Sequence, residues 1–255
     1  MSTGTTERRP PTDERTTGTT PRGRRPLLQG NWAADFYRSA IGKKAVMAIS
    51  GVVLLGYVFL HMVGNLKLYF GPEGMDEYAE WLRAFGAPAV PEMGALWGVR
   101  VLLIVAFALH IHAAVALTLM NRRARPQGYR ASRDYVSVTY AARTMRWSGV
   151  IVALFVIYHL LHFTTGTVHP DFVEGSVYHN VVVGFQQWPV ALFYIAANLL
   201  LGLHIYHGAW SMFQSVGWNS PRFNGWRRGF SRAFAGVIVL GNVSFPIAVM
   251  TGVVS

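Results

Sequence analysis

No cysteine occurs in the 255 residues. Disulfides, thiolate zinc sites, iron–sulfur ligation and cysteine nucleophiles are excluded together. Charge is also scarce: 14% of residues are Asp, Glu, Lys or Arg, against about 25% in an ordinary soluble domain. Hydrophobic residues make up 52% and mean hydropathy is +0.28, which argues against a water-soluble globule. Acidic residues are the scarcest charges, 12 against 23 Lys and Arg, leaving a net charge of +11. Such an excess arises from nucleic-acid binding or from asymmetric membrane loops, and its distribution decides between them. What is present in excess for so apolar a chain is histidine, at nine residues.

Residues 1–30 are Thr, Arg, Pro and Gly with almost nothing apolar. Such a basic tail buries too little surface to offset its chain entropy and is expected to be disordered. It lacks the short apolar stretch and cleavage site of a signal peptide. The remainder, 31–255, reads as one domain. Five segments, at about 43–66, 97–121, 146–167, 188–214 and 230–253, approach or exceed the roughly 20 apolar residues that cross a bilayer. The expected fold class is therefore an all-α integral membrane protein, a five-helix transmembrane bundle. The connection at 67–96 holds a polar helical stretch, Met75 to Phe85, followed by Pro88 and Pro91.

The basic residues fall on one side of these spans. With the N-terminus inside, the inner parts hold the tail arginines, Arg38, Lys43 and Lys44. They also hold Arg122, Arg123, Arg125, Arg130, Arg133, Arg143, Arg146, Arg222, Arg227, Arg228 and Arg232, while only Lys67, Arg83 and Arg100 fall outside. Glu73, Asp76, Glu77, Glu80, Glu92, Asp171 and Glu174 are all in outer connections. This positive-inside asymmetry predicts a cytoplasmic N-terminus and an external C-terminus. It accounts for the charge as topology, so no nucleic-acid partner is expected.

Histidines at membrane depth are costly and functional by default. His61, His110, His112, His159, His204 and His207 lie inside the spans, and His162 lies near the outer end of the third. The spans contain no carboxylate. Imidazole without carboxylate or thiolate, in an apolar bundle, suits haem iron. An internal repeat organises the set. Ser50-Gly51, nine residues, His61 recurs as Ser148-Gly149, nine residues, His159, and Leu109-His110-Ile111 recurs as Leu203-His204-Ile205. The expected pairs are His61 with His159 and His110 with His204, each joining helices that run in the same direction. At ~1.5 Å per residue His61 lies about 26 Å beyond Lys44 and about 9 Å before Lys67, so its pair is the outer one. The same arithmetic separates the other three histidines only weakly, and the repeat assigns the inner pair. For any single one, a core imidazole hydrogen-bonded to a neighbouring helix is the alternative. The small residues nearby (Ser50, Gly51, Gly56, Ser148, Gly149, Gly202 and Gly208) admit a flat macrocycle or another helix. His112 faces another side of its helix. His162 and His207 share part of a ligand face and are candidates for structural, propionate or substitute-ligand roles. His169 and His179 fall in an outer loop, where exposure is expected.

These residues resemble the five-helix, di-haem cytochrome b membrane subunit of the succinate dehydrogenase and fumarate reductase (succinate:quinone oxidoreductase) family. The resemblance covers about 36–253. It rests on Ser50-Gly51…His61-Met62-Val63-Gly64-Asn65, His110…Asn121, Arg146-Trp147-Ser148-Gly149…His159 and His204-Ile205-Tyr206-His207-Gly208-Ala209-Trp210-Ser211. It implies axial ligands at His159 and His204, with His61 and His110 as their partners, and two b haems. It also implies a flavoprotein and an iron–sulfur subunit on the cytoplasmic side and quinone as substrate. Electrons from succinate oxidation would reach the inner haem, then the outer haem and quinone, linking the tricarboxylic acid cycle to the respiratory chain in a prokaryotic plasma membrane. The chain would itself carry no catalytic residue, since flavin and clusters must lie on other chains.

One departure matters. Some family members carry a glutamate two residues before the last ligand as part of a proton path, and here that position is Gly202. Glu92 and Arg100, near the outer start of the second span, are the candidates for quinone or propionate contacts, with surface exposure and snorkelling as their alternatives. Two other readings compete: a di-haem anchor of another membrane oxidoreductase, and a haem-free anchor or transporter with packing histidines.

Overall fold

The computed structural model describes residues 32–124, 136–215, 217–218 and 220–255, the side chains of 136–143 and the tail excepted. The expected disordered tail and Arg125, Arg130 and Arg133 thus lie outside the described residues, as does the Arg143 side chain. All regular structure among the described residues is helical: α1 (Trp32–Arg38), α2 (Ala40–Asn65), α3 (Gly71–Ala84), α4 (Gly94–Arg123), α5 (Val136–Phe163), α6 (Val177–Gln186), α7 (Trp188–Ser215) and α8 (Asn224–Met250). Two 3₁₀ turns, Leu66–Phe70 and Pro221–Phe223, join neighbours. Five of these helical stretches are long and apolar enough to cross a membrane.

The expected spans differ from the helices mainly at their ends. The third stops at Phe163 rather than 167. Beyond it the N–H groups of Thr164 and Thr165 both turn back to the Leu160 carbonyl, at 3.0 and 2.9 Å, and Gly166 takes a left-handed φ of 69°. The fifth runs Asn224–Met250 rather than 230–253, and Gly252 beyond it takes a left-handed φ of 73°. Its early start changes the standing of one charge. Arg227, counted above among the inner loop charges, is buried on α8. It donates to the Trp218 carbonyl at 2.7 Å and to the Asn224 side chain, tying the preceding loop to the helix.

The bundle consists of two packed helix pairs, α2 with α4 and α5 with α7, and α8 lies against α7 and α2. The core is made by Met62, Phe155, Tyr194, Ile205, Ile238 and Phe245. The two pairs meet incompletely. Among the described residues α2 and α5 do not form a packed pair, and neither do α4 and α7. A layer of short helices closes the end that carries Lys67. The polar stretch read as Met75–Phe85 is the helix Gly71–Ala84, begun by Pro72 in its first turn, a position where the missing proline N–H is harmless. Its Asp76 carboxylate accepts from the Tyr178 N–H at 2.9 Å and from the Ser176 hydroxyl at 3.3 Å, holding α6 beneath it.

Gly202 is buried on α7 where α8 crosses it. A Cβ at this position would run into the Val239 side chain. The position that carries a glutamate in some members of the resembled family is therefore filled here by the neighbouring helix. Gly202→Leu is expected to destabilise the fold by about 1–3 kcal/mol through overpacking. Gly202→Glu is expected to cost more, because its carboxylate also leaves water. Thermal melting of the detergent-solubilised protein checks both.

Candidate functional site

The structure brings the repeated histidines together across the gap between the two helix pairs. The rings of His61 on α2 and His159 on α5 have centroids 5.7 Å apart, and those of His110 on α4 and His204 on α7 are 6.5 Å apart. All four are partly buried. Each imidazole pair thus bridges two helices, α2 with α5 and α4 with α7, that do not themselves form a packed pair among the described residues, while α2 and α7 touch directly.

The two pairs occupy two levels. The His110 ring lies beside Ser50 and Gly51, with Nδ1 3.3 Å from the Ser50 hydroxyl and 3.2 Å from the Met47 carbonyl. Ser50 precedes His61 by eleven residues on α2, about 16 Å along the axis. The other half repeats this. His204 Nδ1 is 3.3 Å from the Ser148 hydroxyl and has a backbone hydrogen bond to Met145, eleven or more residues before His159. Side-chain contact thus places the two histidine pairs at different levels along the helices.

The Ser-Gly pairs serve a different histidine from the one they precede. A Cβ on Gly51 would lie 3.4 Å from Cε1 of His110, and one on Gly149 would lie 3.3 Å from Cε1 of His204. Each glycine makes room for the imidazole of the adjacent antiparallel helix, and each serine meets its Nδ1. Gly56, also named above, borders open space instead. Met47 and Met145, whose backbone carbonyls complete the cradle, were not singled out from the sequence. Both stand three residues before the serine, so the repeat extends to Met-x-x-Ser-Gly.

The pair at the other level has side-chain partners. Nδ1 of His61 lies 3.0 Å from the Asn65 amide, and Nδ1 of His159 lies 3.5 Å from the Tyr194 hydroxyl. His162 is fully buried, with Nδ1 3.1 Å from the same tyrosine oxygen. His207 is partly buried, its ring 5.0 Å from that of Tyr206. His112 does face elsewhere: its Nδ1 bonds the Tyr37 hydroxyl of α1, and the two rings stack.

Two expectations change, those for His169 and His179. His169 is no bare surface residue. Its Nδ1 accepts from the Asp171 N–H at 3.1 Å and its Nε2 donates to the Asn180 carbonyl at 2.8 Å, organising the connection before α6. His179, also expected on a loop, lies on α6 and is partly buried, with Nε2 3.3 Å from Asp171. Arg100 is half-buried, and its guanidinium lies 4.9 Å above the Trp97 ring on its own helix. Glu92 is exposed in the α3–α4 connection.

A metal–imidazole bond of about 2 Å puts the centroids of two imidazoles on opposite sides of one iron roughly 6 Å apart. Both pairs fall near that separation. Metal-bound histidines commonly engage their other nitrogen with a carbonyl, a carboxylate or water, which fixes the tautomer. Nδ1 of His110 has such a carbonyl, that of Met47, and His204 has a backbone partner in Met145. Among the described residues no cluster of three or more His, Asp or Glu is arranged to hold a bare metal ion. Two facing imidazoles at each level, with no carboxylate beside them, are a donor set of the kind that a haem takes. No family model matches the chain, and no curated protein and no solved structure matches it.

Proposed function

We propose that this chain is the membrane-anchor cytochrome b subunit of a succinate:quinone oxidoreductase. In this reading it lies in a prokaryotic plasma membrane with the N-terminus cytoplasmic, joined to a flavoprotein and an iron–sulfur subunit on that side. The observation that carries the haem part is the two imidazole pairs, stacked at two levels and bridging helices that do not otherwise pack. The motifs shared with the family favour succinate over other electron donors. Exposure of Val101, Leu102, Ile104 and Val105 along α4 supports immersion in lipid.

His61 and His159 would hold the outer haem, and His110 and His204 the inner one. When bound, a haem ligated on both faces supplies one-electron transfer without an open coordination position. The protein's own part is orientation and exclusion. Nδ1–H of His110, given to the Met47 carbonyl, leaves Nε2 as the ligating nitrogen. The same follows for His204 with Met145. The apolar helix faces keep water from both levels.

The test is purification of the tagged chain from its native membrane. We expect about two haems per polypeptide, a flavoprotein and an iron–sulfur protein in the same complex, and haem reduction by succinate. Reduction by nitrate but not succinate would assign the anchor to another oxidoreductase. A complex without a Soret band would overturn the haem reading.

A further inference from the structure

The four paired imidazoles are not held alike at Nδ1. His110 and His204 each have a serine hydroxyl and a backbone carbonyl. A carbonyl only accepts, so it fixes the proton on Nδ1. His159 has no carbonyl partner: its Nδ1 faces the Tyr194 hydroxyl, which can donate or accept. If that hydroxyl donated to His159, the ring proton would move to Nε2, and Nε2 would lose the lone pair a ligand needs. Something else must decide the direction.

His162 is placed to decide it. Its Nδ1 lies 3.1 Å from the Tyr194 oxygen, against 3.5 Å for His159. A phenol has one proton to give. Nδ1 of His162 is the nearer acceptor for it, within the ordinary range for a hydrogen bond, and taking it puts the His162 ring proton on Nε2, which is buried with no hydrogen-bond partner among the described residues. The oxygen then accepts from His159 Nδ1–H, and Nε2 of His159 is left bare toward His61. The His162 ring is locked in place for this. It is fully buried, stacks on Tyr158 at 5.5 Å and touches Phe163 at 4.1 Å. A Cβ on Gly184 would stand only 2.9 Å from its Cε1, so α6 seals it from above. His169, 4.9 Å away, already uses both its nitrogens, on the Asp171 N–H and on the Asn180 carbonyl of α6, and does not compete. Nor does Asn65 settle the matter from the other side, because a turned amide offers His61 either a donor or an acceptor.

We infer that Tyr194 and His162 form a positioning pair that sets the tautomer of His159, with His162 Nδ1 drawing the tyrosine proton so that the tyrosine oxygen receives the proton of His159. The inference rests on the reading of His159 as an axial ligand. A hydrogen bond accepted from a ligand's second nitrogen makes that ligand more basic, and outer-shell hydrogen bonds of this kind tune a haem's potential.

The experiment is an optical redox titration with low-spin EPR on the purified complex, resolving the two haems separately. In Tyr194→Phe the outer haem's midpoint is expected to shift upward and its EPR signal to move. The inner haem's midpoint and signal stay at their wild-type positions. His162→Phe, which leaves the tyrosine without an acceptor, is expected to shift the outer haem also. His162→Asn, which offers a carbonyl oxygen near the place of Nδ1, is expected to return it toward wild type. Loss of the outer haem alone in Tyr194→Phe supports the pair as well. The inference is overturned by wild-type signals in Tyr194→Phe or in His162→Phe, by equal shifts or loss of both haems, or by His162→Asn behaving as His162→Phe. A haem-free wild-type complex overturns the proposed function itself. A di-haem wild type with an unmoved Tyr194→Phe overturns only this pair.

Discussion

If the chain binds two haems as proposed, valine at Gly51 or Gly149 is expected to abolish binding of the inner one while leaving the outer one in place. Reading along the chain suggests the opposite, because Gly51 stands ten residues before His61 and Gly149 ten before His159. The contacts run across helices instead. The position a Cβ would take on each glycine is 3.3–3.4 Å from Cε1 of the inner histidine on the antiparallel neighbour. Alanine at either site needs a shift of only a few tenths of an ångström and should retain much of the inner haem. Valine puts a branched carbon into the ring, and overpacking of this kind typically costs about 1–3 kcal/mol. The imidazole can escape by rotating out of the cradle, which breaks its contacts with the serine hydroxyl and the methionine carbonyl. Haem per polypeptide should fall from two toward one, with the surviving haem keeping the outer midpoint. Loss confined to the outer haem would show that the glycines serve the histidines on their own helices.

This reversal shows what was legible in the sequence and what was not. The five apolar stretches were readable because each is about as long as a bilayer's hydrocarbon core is thick and little else in the chain is apolar for so long. The four paired histidines were readable because a repeated interval is a pattern along the chain. Their levels were not, because helix ends are uncertain by several residues and each residue is worth about 1.5 Å. The contact of His110 with Ser50 removes that uncertainty at a stroke. Carbonyls of Met47 and Met145 were invisible for another reason: a backbone acceptor leaves no side-chain signature. Helix α6 was missed because ten residues of mixed character are stabilised by burial and by Asp76 on a distant segment, not by a local pattern. Tyr194 was hidden by the symmetry that exposed the ligands. It stands ten residues before His204, and ten residues before His110 the sequence has Arg100. The halves match at the ligands and diverge at what surrounds them. A search for repeats therefore finds the first and passes over the second.

Alanine in place of any one of the four histidines should remove one haem and keep the other, and double substitutions should report the pairing. In the proposed di-haem reading His61→Ala and His159→Ala each remove a ligand to the same group, so the double variant should hold as much haem as either single one. The same non-additivity is expected for His110→Ala with His204→Ala. A cross-pair double, such as His61→Ala with His204→Ala, should lose both haems, since it strikes two levels about 16 Å apart. Stability should follow the same arithmetic, because a group bound only by the folded state stabilises it by mass action. Two substitutions that release the same haem then share one loss, and two that release different haems add. Local collapse is not expected to blur the result. The packed pairs α2–α4 and α5–α7 keep their own contacts when an imidazole is trimmed from the gap between them. The measurements are haem per polypeptide and the melting temperature of each single and double variant. If His61→Ala with His110→Ala behaved as one lesion and His61→Ala with His159→Ala as two, the ligands would pair within each helix hairpin rather than across the gap. The ring separations of 5.7 and 6.5 Å favour pairing across it.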